Sequence, residues 1–336
     1  MTSHLFPSPK RFIISRTDGI GDVLLTLPLA GALKQHDPDC TIAMLGRSYT
    51  EPLVRACEHV DVVLNWDEVK NRPLKEQAEW LADYDVDTII HVFPRKEIAA
   101  AARRARIPRR IGTSHRTYHW WTCNRLAHFS RKTSDLHESQ LNLRLLEPLG
   151  FETQYPLDQI PSLYGLTTLA PLSPEFSRLI DPQRFNLILH PKSKGSAKEW
   201  GVENFARLIS ALPRDRFKLF ITGSAAEGMV VGPTLLQPFP HVFDLTGKME
   251  LDQLIAFIAA ADGLLACSTG PLHLAAALSK AAVGLYSSRR PLHPGRWAPL
   301  GVNVRVIEDG IAEPYQGRLQ IPVERVINTI VSNLGI

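Results

Sequence analysis

The stretch Leu264-Leu265-Ala266-Cys267-Ser268-Thr269-Gly270-Pro271-Leu272-His273-Leu274-Ala275-Ala276-Ala277-Leu278 predicts a strand, a tight turn and a helix in immediate succession. Ser268 or Thr269 suits the N-cap of the helix, and Pro271 suits its first turn, where a missing N–H costs nothing. Such a junction leaves backbone N–H groups and the positive end of the helix dipole free at a sheet edge. It therefore predicts an anion site, with an ordinary strand-to-helix connection as the alternative.

The same alternation of strand and helix extends outward in both directions and predicts an α/β protein with parallel sheets. Strands are expected in the first half at residues 11–15, 41–45, 60–64, 88–93 and 109–112, and in the second half at 186–190, 217–222, 242–245, 263–267 and 282–286. Residues 151–184 are rich in Pro, Ser and Leu and form the best linker candidate. Residues 113–133, within the first half and before a predicted helix at 137–149, have no clean period and are expected to form an irregular, aromatic and basic surface.

Composition restricts the class of protein. A chain of 336 residues with 44% hydrophobic residues is long enough for two domains with ordinary cores. No apolar run is long enough for a membrane span, and residues 1–10 do not resemble a signal peptide, so we expect a cytoplasmic protein. The four cysteines are scattered without a C-x-x-C pair, which predicts reduced, mostly buried thiols and no thiolate zinc site.

Residues 95–132 carry eleven Lys or Arg against one acid, Glu97, although the net charge of the whole chain is only +4. Such a patch favours an acidic partner, which is a phosphorylated glycan, an anionic membrane surface or a nucleic acid. A solvated basic face is the alternative.

Ligands of open α/β sheets lie beyond the carboxyl ends of the strands, and several polar turns fall there. Lysines, hydroxyls and Gly195 share the turn at 190–200, a mixture that suits a diphosphate. It is not a Walker loop, because the Gly-x-x-x-x-Gly-Lys-Ser/Thr spacing is absent.

Four motifs in order resemble glycosyltransferase family 9, the ADP-heptose lipopolysaccharide heptosyltransferases. They are Arg16-Thr-Asp-Gly-Ile-Gly-Asp-Val-Leu-Leu-Thr-Leu-Pro28, the loop from His190 to Trp200, Thr222-Gly-Ser-Ala-Ala-Glu227 and Ser268-Thr-Gly-Pro-Leu-His-Leu-Ala-Ala-Ala277. The resemblance implies a GT-B architecture of two Rossmann-like domains whose parallel sheets face each other across a cleft. We expect an acceptor domain over residues 1–165, a nucleotide-sugar domain over 166–315, and a C-terminal helix within 316–336 that packs back on the first half.

The resemblance also implies an inverting, metal-independent enzyme without a cofactor. By position, Asp22 matches the catalytic base, Lys198 a diphosphate-binding lysine, Glu227 the acid that holds the ribose, and Met249 a base-contacting methionine. The full set of expected donor-binding residues is Ser193, Lys194, Ser196, Lys198, Glu227, Met249, Ser268, Thr269, Gly270, Pro271 and His273. The expected acceptor-binding residues are Arg16, Arg95, Lys96, Arg116 and Trp120.

Each of these residues also has a structural interpretation. Asp22 can favour the N-terminus of its helix, Lys198 can be a solvated loop charge, and Met249 and His273 can be packing residues. The chain departs from many relatives at Ser268, where they have an acid, so the identity of the sugar stays open.

Two Asp-x-Asp strings, at residues 37–39 and 83–87, precede predicted strands and are interpreted as solvated turns rather than a metal site. The expected partners are a nucleotide-diphosphate sugar, an acidic lipopolysaccharide-like glycolipid and peripherally the inner membrane surface, with no nucleic acid and no obligate protein partner. A nucleotide-sugar epimerase of similar fold and a non-catalytic sugar-nucleotide binding module are the alternatives.

Overall fold

Two parallel sheets organise the molecule, which a computed structural model describes over residues 10–310 and 317–333. The chain divides into two compact units after Thr168. Three expectations concern residues outside the described ranges: the signal-peptide assessment of residues 1–9, the domain boundary at 315/316, and Leu334 in the C-terminal helix.

The first unit contains a six-stranded parallel sheet in the order β3-β2-β1-β4-β5-β6. Its strands are β1 (Arg11–Ser15), β2 (Thr41–Gly46), β3 (Val62–Asn65), β4 (Thr88–His91), β5 (Arg109–Thr113) and β6 (Arg125–Ala127). Its helices are α1 (Ile20–Leu24), α2 (Leu27–His36), α3 (Glu51–Arg55), α4 (Leu74–Ala82), α5 (Lys96–Arg104), α6 (His119–Thr122) and α7 (Glu138–Leu143).

The second unit repeats the plan with the strand order β12-β11-β10-β7-β8-β9. Its strands are β7 (Phe185–His190), β8 (Phe217–Ile221), β9 (Phe243–Asp244), β10 (Gly263–Cys267), β11 (Ala281–Tyr286) and β12 (Val304–Glu308). Its helices are α8 (Pro174–Ser177), α9 (Val202–Ala211), α10 (Ala225–Leu235), α11 (Leu251–Ala260), α12 (Gly270–Ala277), α13 (Pro294–Trp297) and α14 (Val323–Asn333). The predicted α/β class with parallel sheets is confirmed.

Central strands of both sheets have apolar, buried interiors, as expected for strands that are covered on both faces. All five residues of β10 are buried, and so are Ile13 and Ile14 in β1. The four cysteines are free and buried, which confirms the prediction of reduced, structural thiols.

The helical segment that follows β1 is divided into two helices just before Pro28. Helix α1 ends at Leu24, and α2 begins at Leu27 with Pro28 in its first turn, a position that needs no amide hydrogen. Gly31 in α2 lies so close to the turn at Ile160–Leu163 that a Cβ on it would come within 2.3 Å of the Leu163 carbonyl oxygen. The first part of the expected linker is therefore packed against the first unit.

The C-terminal helix corrects an expectation. We expected it to pack on the first half, but the buried side chains Val326 and Ile330 of α14 belong to the core of the second unit, together with Leu208 of α9. The segment before it is anchored there too, because Trp200 Nε1 donates a hydrogen bond of 2.8 Å to the Ile321 carbonyl oxygen.

The Asp-x-Asp strings lie at the amino ends of strands, as expected. The Asp37 carboxylate pairs with Lys10 at 2.6 Å, and the Asp87 carboxylate accepts hydrogen bonds from the Lys10 and Arg11 amides. Both carboxylates thus hold the start of β1 in place.

A pair of buried histidines lies in the first unit. His91 at the end of β4 is 1% exposed, and its ring is 5.8 Å from that of His119. His119 Nδ1–H donates to the Thr113 carbonyl at 3.0 Å, whereas neither ring nitrogen of His91 has a hydrogen-bond partner among the described residues. Burial lowers the pKa of His91 to about 3, and the charges of His119 and Arg110 act in the same direction.

This depressed pKa predicts acid lability. In the folded protein His91 stays neutral down to a pH of about 3, whereas in the unfolded chain it takes up a proton below a pH of about 6.5. The free energy of unfolding therefore has its full value above pH 6.5 and falls as the pH decreases toward 3. From His91 alone we expect a loss of about 2 kcal/mol in the free energy of unfolding between pH 7 and pH 5. Urea unfolding at both pH values should show a smaller loss for His91→Leu. Substitution of the exposed His115 by Leu is the control, and equal losses in His91→Leu and the wild type would contradict the assignment.

Candidate functional site

Polar turns of the second unit meet at one edge of its sheet. Strand β7 lies between β10 and β8, with His190 level with Ala266 of β10 and Leu189 level with Ile221 of β8. Because all three strands run in parallel, their carboxyl ends share one edge, where ligands of such sheets bind. This edge brings together the turns after residues 190, 221 and 267.

The β10–α12 turn presents a hydroxyl that the protein does not use. Thr269 is the N-cap of α12, yet its side chain makes no capping hydrogen bond. The residue is 6% exposed, and its Oγ1 has no hydrogen-bond partner in the part of the chain that the structure describes. A buried hydroxyl without a partner is costly, and the first amides of a helix favour an anion. The turn is therefore suited to receive phosphate oxygens.

The loop after β7 is shaped by Glu199. Its carboxylate accepts hydrogen bonds from the Ser193 amide at 3.0 Å and the Ser193 hydroxyl at 3.2 Å, and it pairs with the Lys192 ammonium. Ser196 closes the loop by donating its hydroxyl to the Ser193 carbonyl at 2.8 Å. The hydroxyls of Ser193 and Ser196 thus hold the loop, a structural role alongside the donor-binding role expected for them.

Two lysines of this loop remain available. The Lys194 backbone has a positive φ of 49° and that of Gly195 a φ of 82°, and the Lys194 side chain on this tight turn is exposed. Lys198 is half-buried, and in the described ranges 10–310 and 317–333 its ammonium has neither an ion pair nor a hydrogen bond. A positive charge without a protein partner, on a turn at this sheet edge, suits a diphosphate.

Glu227 offers one free carboxylate oxygen. Its Oε2 accepts hydrogen bonds from the Ser224 amide at 2.7 Å and the Ser224 hydroxyl at 2.9 Å, forming a capping box at the start of α10. Its Oε1 is buried with no partner among the described residues. Burial raises the pKa of Glu227, but the hydrogen bonds from Ser224 outweigh it, and the net shift is downward. Glu227 therefore stays ionised and can accept a hydrogen bond from a ligand hydroxyl.

The remaining donor candidates differ in their surroundings. Met249 is only partly buried and lies directly before the N-cap of α11, so it does not fill the core. His273 is 4% exposed on α12, as a packed histidine is. Ser268 lies near the phenol of Tyr286, and that phenol donates to the Trp297 carbonyl at 2.6 Å. Position 268 therefore carries no charge. Gly270 and Pro271 form the first turn of α12.

In the first unit, the turn after β1 is built around Arg16. The guanidinium is buried and pairs with Asp18 at 2.6 Å, with Asp22 at 2.6 Å and with Glu138 at 3.6 Å. Burial lowers the pKa of Arg16, but the three carboxylates outweigh it and raise the pKa above its ordinary value. We expected Arg16 to contact an acceptor, whereas its geometry favours positioning the Asp22 carboxylate.

The carboxylates of this turn are unequal. Asp22 lies in the first turn of α1 with its side chain 32% exposed, and Arg16 contacts its Oδ1. Burial raises the pKa of Asp18 to about 6 against the opposing effect of Arg16, and the nearby charge of Asp22 adds to the increase. Asp22 is thus an accessible, oriented carboxylate, and Asp18 is its more buried neighbour.

Four of the expected acceptor-binding residues lie on the surface of the first unit. Arg95, Lys96, Arg116 and Trp120 are exposed. Arg95 stacks over the Phe93 ring at 5.0 Å, and Arg16 lies 5.9 Å from the same ring. Phe93 therefore connects the basic surface with the turn that carries Asp22.

Sequence reasoning missed the residues that hold these groups in place. Glu138 is 1% exposed and pairs with Arg131 at 3.0 Å as well as with Arg16, and Arg131 also donates to Asn142. His190 shares a 3.0 Å hydrogen bond with the Thr222 hydroxyl. Glu199 lies inside a quoted motif, but the distant pairing of Glu138 with Arg16 has no local sequence signal.

Two possible features are absent from residues 10–310 and 317–333. No group of three His, Cys, Asp or Glu side chains there is arranged to hold a metal ion. No helix in those ranges is long and apolar enough to span a membrane.

Comparisons with solved structures establish the fold. A glycosyltransferase family 9 protein from Veillonella parvula superposes with a TM-score of 0.78 at 19% identity, covering 97% of both chains. ADP-heptose lipopolysaccharide heptosyltransferase II of Escherichia coli superposes with a TM-score of 0.76 at 20% identity, covering 97% of this chain and 98% of that one. The predicted GT-B fold class is confirmed.

Comparisons of sequence establish the family. Lipopolysaccharide heptosyltransferase 3 of Escherichia coli K12 is 24% identical over 299 residues, which is 84% of this chain and 83% of that protein. The family model described as glycosyltransferase family 9 (heptosyltransferase) matches residues 79–319, a span that includes every donor-binding candidate. The resemblance found in the motifs is thereby confirmed, and the chain belongs to glycosyltransferase family 9, the heptosyltransferases.

Proposed function

We propose that this glycosyltransferase transfers a heptose from ADP-heptose to the inner core of a lipopolysaccharide. The observation that carries the proposal is the set of unpartnered groups at one edge of the second unit's sheet, the Thr269 hydroxyl, the Lys198 ammonium and Glu227 Oε1. The Thr269 hydroxyl can donate to a phosphate oxygen, and the Lys198 ammonium can oppose the charge of a diphosphate. Glu227 Oε1 can accept a hydrogen bond from a ribose hydroxyl. Its relatives are named as lipopolysaccharide heptosyltransferases.

The leaving group is stabilised by the second unit. As the bond between the anomeric carbon and the diphosphate oxygen breaks, negative charge grows on the nucleotide diphosphate. Lys198 and the amide end of α12 oppose that charge, and they are already in place before the reaction begins. In this proposal, protein groups provide the positive charge that stabilises the leaving diphosphate, and the reaction needs no metal or other cofactor.

The first unit supplies the base. The Asp22 carboxylate takes the proton of the acceptor hydroxyl while that oxygen forms its bond to the anomeric carbon, and the diphosphate departs with the electron pair of the broken bond. One displacement inverts the anomeric centre and needs a single carboxylate. Arg16 supports this role by fixing one oxygen of Asp22 and leaving the side chain accessible.

The acceptor is proposed to lie on the basic surface. Arg95, Lys96 and Arg116 are exposed cations suited to the phosphates and carboxylates of an inner core, and Trp120 offers an apolar face to a sugar ring. No nucleic acid and no obligate protein partner enters this proposal. The epimerase alternative is not favoured, because the family match is to transferases.

Nucleotide preference tests the donor assignment. A ligand that binds only the folded state raises its stability, and ADP at a hundredfold excess over its Kd should raise the melting temperature by roughly 5 °C. Lys198→Ala should abolish most of the shift, whereas Lys280→Ala, a change outside the donor turns, should retain it. A larger shift with UDP or GDP than with ADP would contradict the assignment.

A ligand-binding role of the Thr269 hydroxyl can be distinguished from helix capping by a pair of substitutions. Thr269→Val should change the free energy of unfolding by less than about 0.5 kcal/mol, because no protein partner is lost, yet it should weaken ADP binding about tenfold. Ser224→Ala is the matched comparison, since that hydroxyl does cap its helix and its loss should cost about 1 kcal/mol. Calorimetric titration and urea unfolding measure the two effects. Destabilisation of Thr269→Val with unchanged ADP binding would assign this hydroxyl to folding.

The base is tested by Asp22→Asn. Loss of a general base should lower kcat by about 10²- to 10⁴-fold while the ADP-induced melting shift persists. Asp39→Asn changes an exposed acid at the opposite edge of the sheet and should leave kcat unaltered. Unchanged turnover in Asp22→Asn, or loss of ADP binding together with turnover, would remove Asp22 from this role.

A further inference from the structure

One guanidinium is shared by three carboxylates in the turn after β1. Arg16 Nε lies 2.6 Å from Asp18 Oδ1, and Nη2 lies 2.6 Å from Asp22 Oδ1. The third nitrogen, Nη1, lies 3.6 Å from Glu138 Oε1. The Arg16 side chain is only 4% exposed, so water does little to balance its charge. Because ion pairing weakens with distance, Asp18 and Asp22 are the principal partners of this cation.

The two carboxylate oxygens of Asp22 have different surroundings. Arg16 donates to Oδ1, whereas Oδ2 accepts no hydrogen bond from any residue that the structure describes. Oδ2 lies against Gly19, where a Cβ would come within 3.2 Å of it. Glycine at position 19 thus leaves this oxygen open to a substrate hydroxyl.

Asp18 is fixed from a neighbouring strand end. Tyr49 lies in the turn after β2, and its phenol donates to the Asp18 carbonyl oxygen. The Asp18 side chain is 21% exposed, and its burial, opposed by Arg16 and aided by the charge of Asp22, raises its pKa to about 6. Two carboxylates that face one cation at such distances do not ionise independently of each other.

Other charged or titratable groups lie around this pair. They are Glu138 on α7 and its partner Arg131, Tyr49 and Arg47 in the turn after β2, and Arg95 beside the Phe93 ring. Arg131 and Arg47 pair with other carboxylates, at 3.0 and 3.2 Å. Among the described residues, Arg16 is the cation that contacts both Asp18 and Asp22.

Asp18 changes what happens when Asp22 takes up a proton. A carboxylate that is the main partner of a buried cation is a weak base, because protonation leaves that cation without its counter-charge. With Asp18 on the same guanidinium, Arg16 keeps a close partner after Asp22 becomes neutral. The like charge of Asp18 also favours proton uptake by its neighbour. Both effects make proton transfer to Asp22 easier than Arg16 alone would permit.

We propose that Asp18 is a positioning residue of the transfer reaction, which holds Arg16 in an ion pair while Asp22 carries the acceptor proton. The inference rests on the proposed function and adds a second acidic residue to it. In the transfer step, the acceptor oxygen bonds to the anomeric carbon, and the diphosphate leaves with the electron pair of the broken bond. The proton passes from the acceptor oxygen to Asp22 Oδ2. Water then takes this proton, and Arg16 again pairs with both carboxylates.

The pH dependence of turnover tests this role, with ADP-heptose as donor and a delipidated core oligosaccharide as acceptor. Asp18→Asn removes the second charge and keeps the shape of the side chain. We expect kcat at pH 8 to fall about threefold to tenfold, because the remaining base is weaker, and the midpoint of the acid limb of the kcat profile to move about one pH unit lower. The KM for ADP-heptose should stay within about twofold of the wild-type value. Asp18→Glu restores a carboxylate and should return the midpoint toward that of the wild type.

Asp67→Asn is the matched control. Asp67 lies in the turn after β3, at the same sheet edge, and its ion-pair partners are Arg47 and Lys70 rather than Arg16. This variant should keep both kcat and the midpoint. A fall in kcat for Asp18→Asn without movement of the midpoint, or an equal movement in Asp67→Asn, would overturn the proposal.

Carboxyl-carbon NMR separates this inference from the proposed function, because it needs no substrate. In the wild type, Asp18 and Asp22 should titrate together in two steps, and Asp18→Asn should convert this behaviour to a single step at lower pH. The wild-type titration decides the question even where Asp18→Asn does not fold, since independent titration of the two carboxyl groups would overturn the proposal. Coupled titration without any transfer from ADP-heptose would refute the proposed function, whereas transfer with an unmoved midpoint in Asp18→Asn would refute this inference alone.

Discussion

Parallel pairing of the central strands is the constraint on which the rest of the structure depends. Because β10, β7 and β8 run in the same direction, every turn that follows one of them is delivered to the same sheet edge. Thr269 and Lys198 are far apart in the sequence and come to this edge by strand direction alone. In the first sheet, Asp37 and Asp87 lie at the edge formed by the amino ends of the strands. There they hold the start of β1 in place.

Charges are handled differently in the two units. In the first, buried Arg16 forms ion pairs with Asp18, Asp22 and Glu138, so its charge has partners within the protein. In the second, the Thr269 hydroxyl and one Glu227 oxygen are buried without partners. Leaving such groups unpaired is unfavourable, and the nucleotide that we propose to bind there would relieve that cost. Where polar groups find hydrogen-bond partners only in the ligand, binding removes the cost of leaving them unpaired, and this raises the affinity for the ligand.

Position 268 carries the neutral side chain of serine, near the phenol of Tyr286. That phenol donates to the Trp297 carbonyl and so ties β11 to the segment that follows it. The Tyr286 hydroxyl already donates to the Trp297 carbonyl, so a carboxylate at position 268 would face the phenol oxygen without receiving a hydrogen bond from it. A neutral residue at this position is thus consistent with the packing around it.

The sequence by itself determined the α/β class, the strands of both sheets except β6 and β12, the family, and the turns in which the donor candidates lie. These depend on local apolar periodicity and on residues close together in the chain. Only the tertiary structure decided that α14 packs within the second unit and that Glu138 lies beside the buried Arg16. These contacts join residues distant in sequence, and the burial and ion pairing that create them leave no periodic signal along the chain.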